Sequence, residues 1–257
     1  MSLRVAQITD THLTAEPGSK LYGVDTALSL QNIIEQIQQL DKKPELIIAS
    51  GDVAEDGAIE TYQRFCGLLA EVKIPIYLLP GNHDDLSNMQ TVFNSAEFLC
   101  VDATSIHDWG FIFVNSKVAD QSHGHVDATA LNELEKNIIK MKDQPILVAI
   151  HHTPSRVCPS FGCQLENATE FTELLNRHSN VKGVIAGHTH LAFEENTRQH
   201  TQYTTPSTFA KATHAQAGES VDHDDFWASH SLDGSQQGFR ILDLHPEGGI
   251  HSEVHWL

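Results

Sequence analysis

Two patterns of apolar and polar positions alternate along the first eighty residues. Leu3 to Thr9 is a short, nearly continuous apolar run that reads as a strand, and it stops at Asp10-Thr11-His12. A polar loop containing Lys20-Leu21-Tyr22-Gly23 follows. From Asp25 to Leu40 apolar residues recur at helical spacing (Leu30, Ile33, Ile34, Ile37, Leu40), with Asp25 placed to cap the helix. Leu46-Ile47-Ile48-Ala49 is a second apolar strand, broken by Ser50-Gly51-Asp52. A helix from Ala58 to Val72 and a third strand, Pro75 to Leu79, complete the series. Strands alternating with helices predict βαβ units and a mainly parallel sheet. The third strand runs into Pro80-Gly81-Asn82-His83-Asp84-Asp85. Pro removes a ladder donor and Gly permits unusual backbone angles, so the strand ends there and delivers three polar side chains in succession.

The second half is less regular. Phe98 to Val101 and Phe111 to Val114 read as strands, with a hairpin turn at Asp108-Trp109-Gly110. Ala128 to Met141 is an amphipathic helix, and Ile146 to Ile150 is a strand ending on His151-His152. Ser155 to Cys163 reads as a surface loop, and Glu166 to His178 as a helix. Val181 to Ile185 is a strand closed by Ala186-Gly187-His188-Thr189-His190. Residues 211–237 show no periodicity and read as an irregular loop over one face. Phe239 to Leu244 and Ile250 to Trp256, about Pro246-Glu247-Gly248-Gly249, predict a C-terminal β-hairpin. Without repeats or a linker, residues 1–257 read as a single domain.

Composition narrows the partners. Asp plus Glu is 34 against 16 Lys plus Arg, a formal net charge of −18. That surface repels nucleic acid and acidic membranes at long range, so a phosphate-bearing substrate needs a strongly positive local site. The absence of a basic stripe also disfavours a nuclease. Cys66, Cys100, Cys158 and Cys163 make no Cys-x-x-Cys pair, which argues against a structural zinc ribbon. The N-terminus lacks a secretory apolar region and no apolar run reaches membrane-spanning length, so a soluble cytoplasmic protein is expected.

The chemistry gathers at five strand ends: Asp10-x-His12, Gly51-Asp52, Gly81-Asn82-His83-Asp84, His151-His152 and Gly187-His188-x-His190. In open α/β sheets ligands sit beyond the carboxyl ends of the strands. Carboxylate, imidazole and amide together favour divalent ions such as Mn, Fe, Zn or Co. Seven candidate ligands exceed what one ion accepts while keeping an open position, so two ions sharing a carboxylate fit better. A lone Asp-x-His is more often a turn; five such blocks, each after an apolar strand, are not.

The order D-x-H, G-D, G-N-H-D, H-H-x-P and G-H-x-H, from Asp10 to His190, resembles the metallophosphoesterase superfamily. Ile8-Thr9-Asp10-Thr11-His12 and Lys20-Leu21-Tyr22-Gly23 resemble its branch of bacterial class III cyclic-nucleotide phosphodiesterases and glycerophosphodiesterases. Thr205-Pro206-Ser207-Thr208, Gly238 to Leu244 and Glu253 to Leu257 are most similar to the cyclic-AMP phosphodiesterases of that branch. The resemblance implies a four-layer α/β/β/α sandwich of two mixed sheets. It implies that Asp10, His12, Asp52 and His190 hold one ion, and that Asp52 bridges to a second held by Asn82, His151 and His188. It also selects His151 over His152, which spacing alone does not; His152 is left with a supporting role.

The implied reaction is hydrolysis of 3′,5′-cyclic AMP to 5′-AMP, by in-line attack of a metal-activated water. The alternative is a broader phosphodiesterase acting on glycerophosphodiesters or other small diesters. A non-catalytic scaffold is a further reading, disfavoured by the intact ligand set. His83 is assigned to protonating the leaving alkoxide or binding the phosphoryl group, with Asn82 and His12 also facing the substrate. Two divalent ions bring about +4 and Asp10 with Asp52 remove about 2, leaving roughly +2 to capture a phosphate despite the acidic surface. The expected partner is a small-molecule cyclic nucleotide or phosphodiester, with no nucleic acid or membrane, and with homo-oligomer formation left open. Glu55 and Asp56 either orient His83 or simply begin a helix. His123-Gly124-His125 reads as a capping turn, and His214, His223 and His230 as solvated loop residues.

Overall fold

A computed structural model describes residues 2–157, 164–214 and 230–257. Cys158, Cys163, His223 and the greater part of the irregular 211–237 stretch lie outside the described residues, as do the side chains of His214 and His230.

The elements in order are β1 (Leu3–Ile8), α1 (Thr26–Gln39), β2 (Leu46–Ser50), α2 (Ile59–Leu68), β3 (Ile76–Leu79), α3 (Leu86–Val92) and β4 (Phe98–Leu99). Next come β5 (Ala103–Ile106), β6 (Trp109–Val114), α4 (Ala128–Lys140), β7 (Ile146–Ile150), α5 (Ala168–Leu175) and β8 (Val181–Ala186). The chain continues with β9 (Phe193–Asn196), β10 (Thr201–Thr204), β11 (Lys211–His214), β12 (His230–Asp233), β13 (Gly238–Leu244) and β14 (Ile250–Trp256). One six-stranded sheet has the order β14-β13-β1-β2-β3-β4, and the other β5-β6-β7-β8-β10-β9. β1, β2, β3 and β4 run parallel, and so do β6, β7, β8 and β10; antiparallel strands complete both sheets.

Residue parity explains the layers. Along β1, Ala6 and Ile8 face α1 and α2, where they meet Leu30, Ile33, Ile37 and Phe65. The intervening Leu3 and Val5 face the other sheet, where Phe111, Phe113, Leu147 and Ile185 wait. β6 and β7 split in the same way, sending Ile112, Val148 and Ile150 towards Leu134 and Ile138 of α4 and Phe171 of α5. Both faces of both sheets are thus buried, which is why the strands read as continuous apolar runs. The result is a four-layer α/β/β/α sandwich of two mixed sheets. Tyr77 of β3 stacks on Phe113 of β6 across the middle, with centroids 5.5 Å apart and planes 9° from parallel.

Sequence and structure differ where pattern is short. The turn placed at Asp108-Trp109-Gly110 lies one step earlier: Trp109 and Gly110 belong to β6, and Ile106 pairs with Trp109 around His107 and Asp108. Trp109 is buried and its indole N–H donates to the His245 carbonyl at 3.0 Å, so burial rather than turn propensity decides its place. Lys211–His214 pairs antiparallel with His230–Asp233, although neither segment shows a strand pattern in the sequence.

Arg240 on β13 is buried and ties the sheets together. Its guanidinium donates to the Thr204 carbonyl (2.8 Å), Thr205 Oγ1 (3.2 Å) and Glu194 Oε1 (2.7 Å), and lies over the Tyr203 ring. Arg240→Met is expected to destabilise the fold by about 2–3 kcal/mol, since it leaves buried acceptors unpaired while Glu194 regains water. The shift of the urea midpoint measures this; an unchanged midpoint would show the network to be energetically idle.

Candidate metal centre

β1, β2 and β3 from one sheet and β7 and β8 from the other end at the same rim of the sandwich. The turns are stitched there by backbone bonds: Asp10 N to Gly51 O (3.0 Å), His12 N to Asp52 O (2.9 Å) and Gly187 N to His151 O (3.1 Å). Across the sheets, Gln7 Nε2 donates to the Ala186 carbonyl at 3.1 Å and to Ser50 Oγ at 2.8 Å. Asp10, His12, Asp52, His151, His188 and His190 are all buried at this rim, and Asn82 joins them through its Oδ1, 3.2 Å from His151 Nε2.

The backbone is unusual here. Asp10 (φ 51°), His12 (43°), Asp52 (47°), His188 (67°) and His190 (53°) all occupy the left-handed region. That conformation costs an ordinary residue about 1–2 kcal/mol, and such residues cluster at functional sites. It turns each side chain out of its strand direction and into the rim. Glycines make the space: a Cβ at Gly81 would collide with the Asp52 carboxylate, at Gly187 with Thr9 and Asp10, and at Gly51 with His151.

Hydrogen bonds fix which ring nitrogen faces the centre. His151 Nδ1–H donates to the Ser50 carbonyl (2.9 Å) and His190 Nδ1–H to the Ala210 carbonyl (2.9 Å). His12 Nδ1 meets Glu55 Oε2 at 2.7 Å. Each ring therefore turns Nε2 inward: His151 to 3.2 Å from Asp52 Oδ2, His190 to 3.4 Å from Asp10 Oδ1, and His12 to 3.8 Å from Asp52 Oδ2. Among the described residues, His12 Nε2 and both ring nitrogens of His188 are buried without a hydrogen-bond partner. Imidazole nitrogens thus crowd around two carboxylates, some of them unpartnered, an arrangement that a cation resolves. Imidazole, carboxylate and amide oxygen form the donor set of a borderline divalent ion, so the residues fit a metal centre.

Asp10, His12 and His190 lie within metal-binding reach of one another, and so do Asp10, Asp52 and His151. The two carboxylates hence sit between the histidine groups. His188 falls beside His151 and His152, but His152 spends both nitrogens elsewhere, on Ser116 Oγ (2.8 Å) and the Ser122 carbonyl (3.1 Å).

Electrostatics follow from the crowding. Burial alone would raise the Asp10 carboxyl, but His190 and His151 outweigh it and hold it at about 2. Burial would depress His151, yet the Asp52 carboxylate pushes it up to about 9. Burial, with His151 alongside, brings His188 down to about 3 and keeps its imidazole neutral.

His83 sits at the rim, a third exposed, with its backbone N–H on Asp52 Oδ1 (2.9 Å). Its Nδ1–H donates to the Glu55 carbonyl at 3.1 Å, and Glu55 Oε2 is 3.4 Å away. Glu55 therefore serves His12 and His83 together. Asp56 caps the neighbouring turn instead, accepting from Ala58 N (3.0 Å) and Thr61 Oγ1 (2.8 Å). Sequence reading missed three supports. Asp84 is fully buried and accepts from Gly81 N (2.9 Å), Val53 N (3.1 Å), Ala54 N (3.0 Å) and Tyr62 OH (3.0 Å), locking the β2 and β3 turns together. Lys117 Nζ donates to the Asn82 carbonyl at 2.9 Å and also to that of Asp84. Gly124 is no capping turn: its backbone bridges Lys117 and Leu165, a Cβ there would strike His152, and Asp127 caps α4. His125 pairs with Glu166 (2.9 Å) rather than with a metal group. Only the G-N-H-D spacing hinted at Asp84.

Paired sheets that deliver carboxylates and histidines to one rim define a candidate metal centre. The chain belongs to the calcineurin-like phosphoesterase family, which it matches over residues 3–192. It is 31% identical over 258 residues to the 3′,5′-cyclic adenosine monophosphate phosphodiesterase CpdA of Escherichia coli K12, covering 99% of this chain and 90% of that protein. A 3′,5′-cyclic-nucleotide phosphodiesterase of Nostoc is 28% identical over 251 residues, covering 96% of this chain and 90% of the relative. A dimetal phosphatase from Danio rerio shares the fold, with TM-score 0.60 at 12% identity over 99% of this chain and 98% of that one.

Proposed function

We propose that this protein hydrolyses 3′,5′-cyclic AMP to 5′-AMP with two metal ions at the rim. One ion is held by Asp10, His12, Asp52 and His190, the other by Asp52, Asn82, His151 and His188, drawn from Mn, Fe, Zn or Co. The observation that carries the reading is the inward turn of Nε2 in His12, His151 and His190 onto the Asp10 and Asp52 carboxylates, on strand ends of both sheets. The near full-length likeness to cyclic-nucleotide phosphodiesterases supports the substrate.

Once bound, the ions would acidify a water and draw charge from the phosphoryl oxygens. The remaining work falls to the chain. Ser50, Ala210 and Glu55 hold the three histidines in the tautomer that presents Nε2. With Nδ1–H on the Glu55 carbonyl, His83 has Nε2 for the cavity its ring lines. A proton carried on that Nε2 would be available to the departing 3′-oxygen. We further propose that residues 1–257 act as one catalytic domain in the cytoplasm.

The deciding measurement is turnover of cyclic AMP, cyclic GMP, 2′,3′-cyclic AMP and glycerophosphodiesters by Mn-loaded protein. Cyclic AMP is expected to turn over; its inertness while glycerophosphodiesters react would replace this reading with the broader one. Asn82 gives a second check. Its amide oxygen lacks charge and holds its ion more weakly than a carboxylate does. Asn82→Ala is therefore expected to lose at least about tenfold in activity, and excess Mn should restore part of it. No response to Mn would remove Asn82 from the ligand set.

A further inference from the structure

The turn Leu21–Val24 stands beside the metal centre and presents an aromatic ring that the chemistry above does not use. Leu21 N donates to Val24 O and Val24 N to Leu21 O, each at 2.9 Å, which closes a two-residue loop over Tyr22 and Gly23. Both loop residues have positive φ, 47° and 84°. Such loops favour Asn or Asp followed by Gly, and a bulky aromatic in the left-handed region is an outlier. Burial does not offset the strain, because Tyr22 is 77% exposed. The ring is held out in solvent on a turn propped from behind, where a Cβ on Gly234 would collide with Val24.

Its neighbour is Phe209, buried, with ring centroid 6.4 Å from Tyr22 and planes 37° apart. Phe209 in turn lies 5.6 Å from His12 and 6.2 Å from His190, and its backbone N–H is fixed by Ser207 Oγ at 2.8 Å. Leu21, Tyr22, Phe209 and Leu232 line a small cavity together with His12, Glu55, His83 and His190. The histidines suit a phosphoryl group and its leaving oxygen. The apolar residues suit a flat apolar ring attached to it.

We propose that Tyr22, backed by Phe209, is the ledge on which the base of a nucleotide substrate stacks, and so favours nucleotides over diesters without a base. The proposal rests on the cyclic-nucleotide reading above. Stacking on an aromatic side chain is indifferent to the identity of the base, so the ledge distinguishes nucleotide from glycerol diester more than adenine from guanine.

The test uses metal-loaded wild type, Tyr22→Ala and Tyr22→Phe. It measures kcat and KM for cyclic AMP, and competitive inhibition of p-nitrophenyl diester hydrolysis by 5′-AMP and by ribose 5-phosphate. Tyr22→Ala is expected to raise the KM for cyclic AMP and the inhibition constant of 5′-AMP about 5- to 150-fold, the range for losing one base–aromatic stack. The inhibition constant of ribose 5-phosphate stays put, and Tyr22→Phe behaves as wild type. Unchanged values for 5′-AMP in Tyr22→Ala would overturn the ledge. Parallel weakening of 5′-AMP and ribose 5-phosphate would overturn it too, by showing Tyr22 to be a brace for the turn. If the wild type ignores cyclic AMP yet holds 5′-AMP through Tyr22, the ledge stands and the cyclic-AMP reading falls. If cyclic AMP turns over regardless of Tyr22, the reading stands and the ledge falls.

Discussion

Asp52→Ala is expected to lose turnover by about 10³-fold or more and to cut bound metal from two ions per chain to one or fewer. The magnitude follows from position. The Asp52 carboxylate faces His151 Nε2 at 3.2 Å and His12 Nε2 at 3.8 Å, one from each sheet's set of turns. Losing it removes a ligand from both proposed ions, and with it their capacity to activate water. It also frees the His83 backbone N–H, which Asp52 Oδ1 accepts at 2.9 Å. Excess Mn should not rescue this variant, in contrast to Asn82→Ala, because no remaining group supplies the shared charge. Elemental analysis of protein saturated with metal and desalted, together with initial rates, checks both parts. Two retained ions would rule out the shared carboxylate. Chelation of the wild type should lower Tm, since a ligand that binds only the folded chain stabilises it by about 4 kcal/mol at a thousandfold excess over Kd.

For His83→Ala the expected result depends on the leaving group. Opening cyclic AMP expels a strongly basic 3′-alkoxide, and general acid catalysis is typically worth about 10²–10⁴-fold in such cases. A p-nitrophenyl diester expels a stabilised phenolate that needs little protonation. His83→Ala is therefore expected to slow cyclic AMP hydrolysis about 10²–10⁴-fold and p-nitrophenyl diester hydrolysis far less, with metal content intact. Glu55→Gln should show the same bias more weakly, because it alters the side chain 3.4 Å from His83 Nδ1 while leaving the carbonyl that orients that nitrogen. Equal slowing of both substrates with full metal would assign His83 to binding the phosphoryl oxygens. Equal slowing with loss of metal would make it a brace for the Pro80–Asp84 turn.

Much of the fold was legible in order along the chain because both faces of each sheet are buried. β2 and β7 are apolar almost throughout, β1 and β8 are interrupted only by Arg4, Gln7, Lys182 and Gly183, and the helices between them repeat at helical spacing, with Asp25 legible as a cap. What lacked such a pattern was missed: β5, the polar β9, β10 and the β11–β12 pair, while the strand read at Phe98 to Val101 shortens to the two-residue β4. Their residues are chosen by neighbours distant in sequence, as Thr201–Thr204 is by Gly183–Ala186.

The sequence by itself determined which side chains are available for the chemistry and that each follows a strand. A Gly or Pro beside an Asp, Asn or His after an apolar run is a local signal, and local signals survive without a structure. Only the tertiary structure decided how these residues meet. Five of them adopt left-handed backbone, which neither spacing nor composition announces, since the strain is sustained by contacts between turns 31 to 178 residues apart. His151 and His152 are neighbours of the same type, separated only by packing: Ser50 O turns the first inward, while Ser116 and Ser122 claim both nitrogens of the second. Glu55 and Asp56 part in the same way, one reaching two histidines and the other capping a turn. A side chain's identity fixes what it can donate or accept; the partner it finds depends on which strand ends the two sheets bring to one rim.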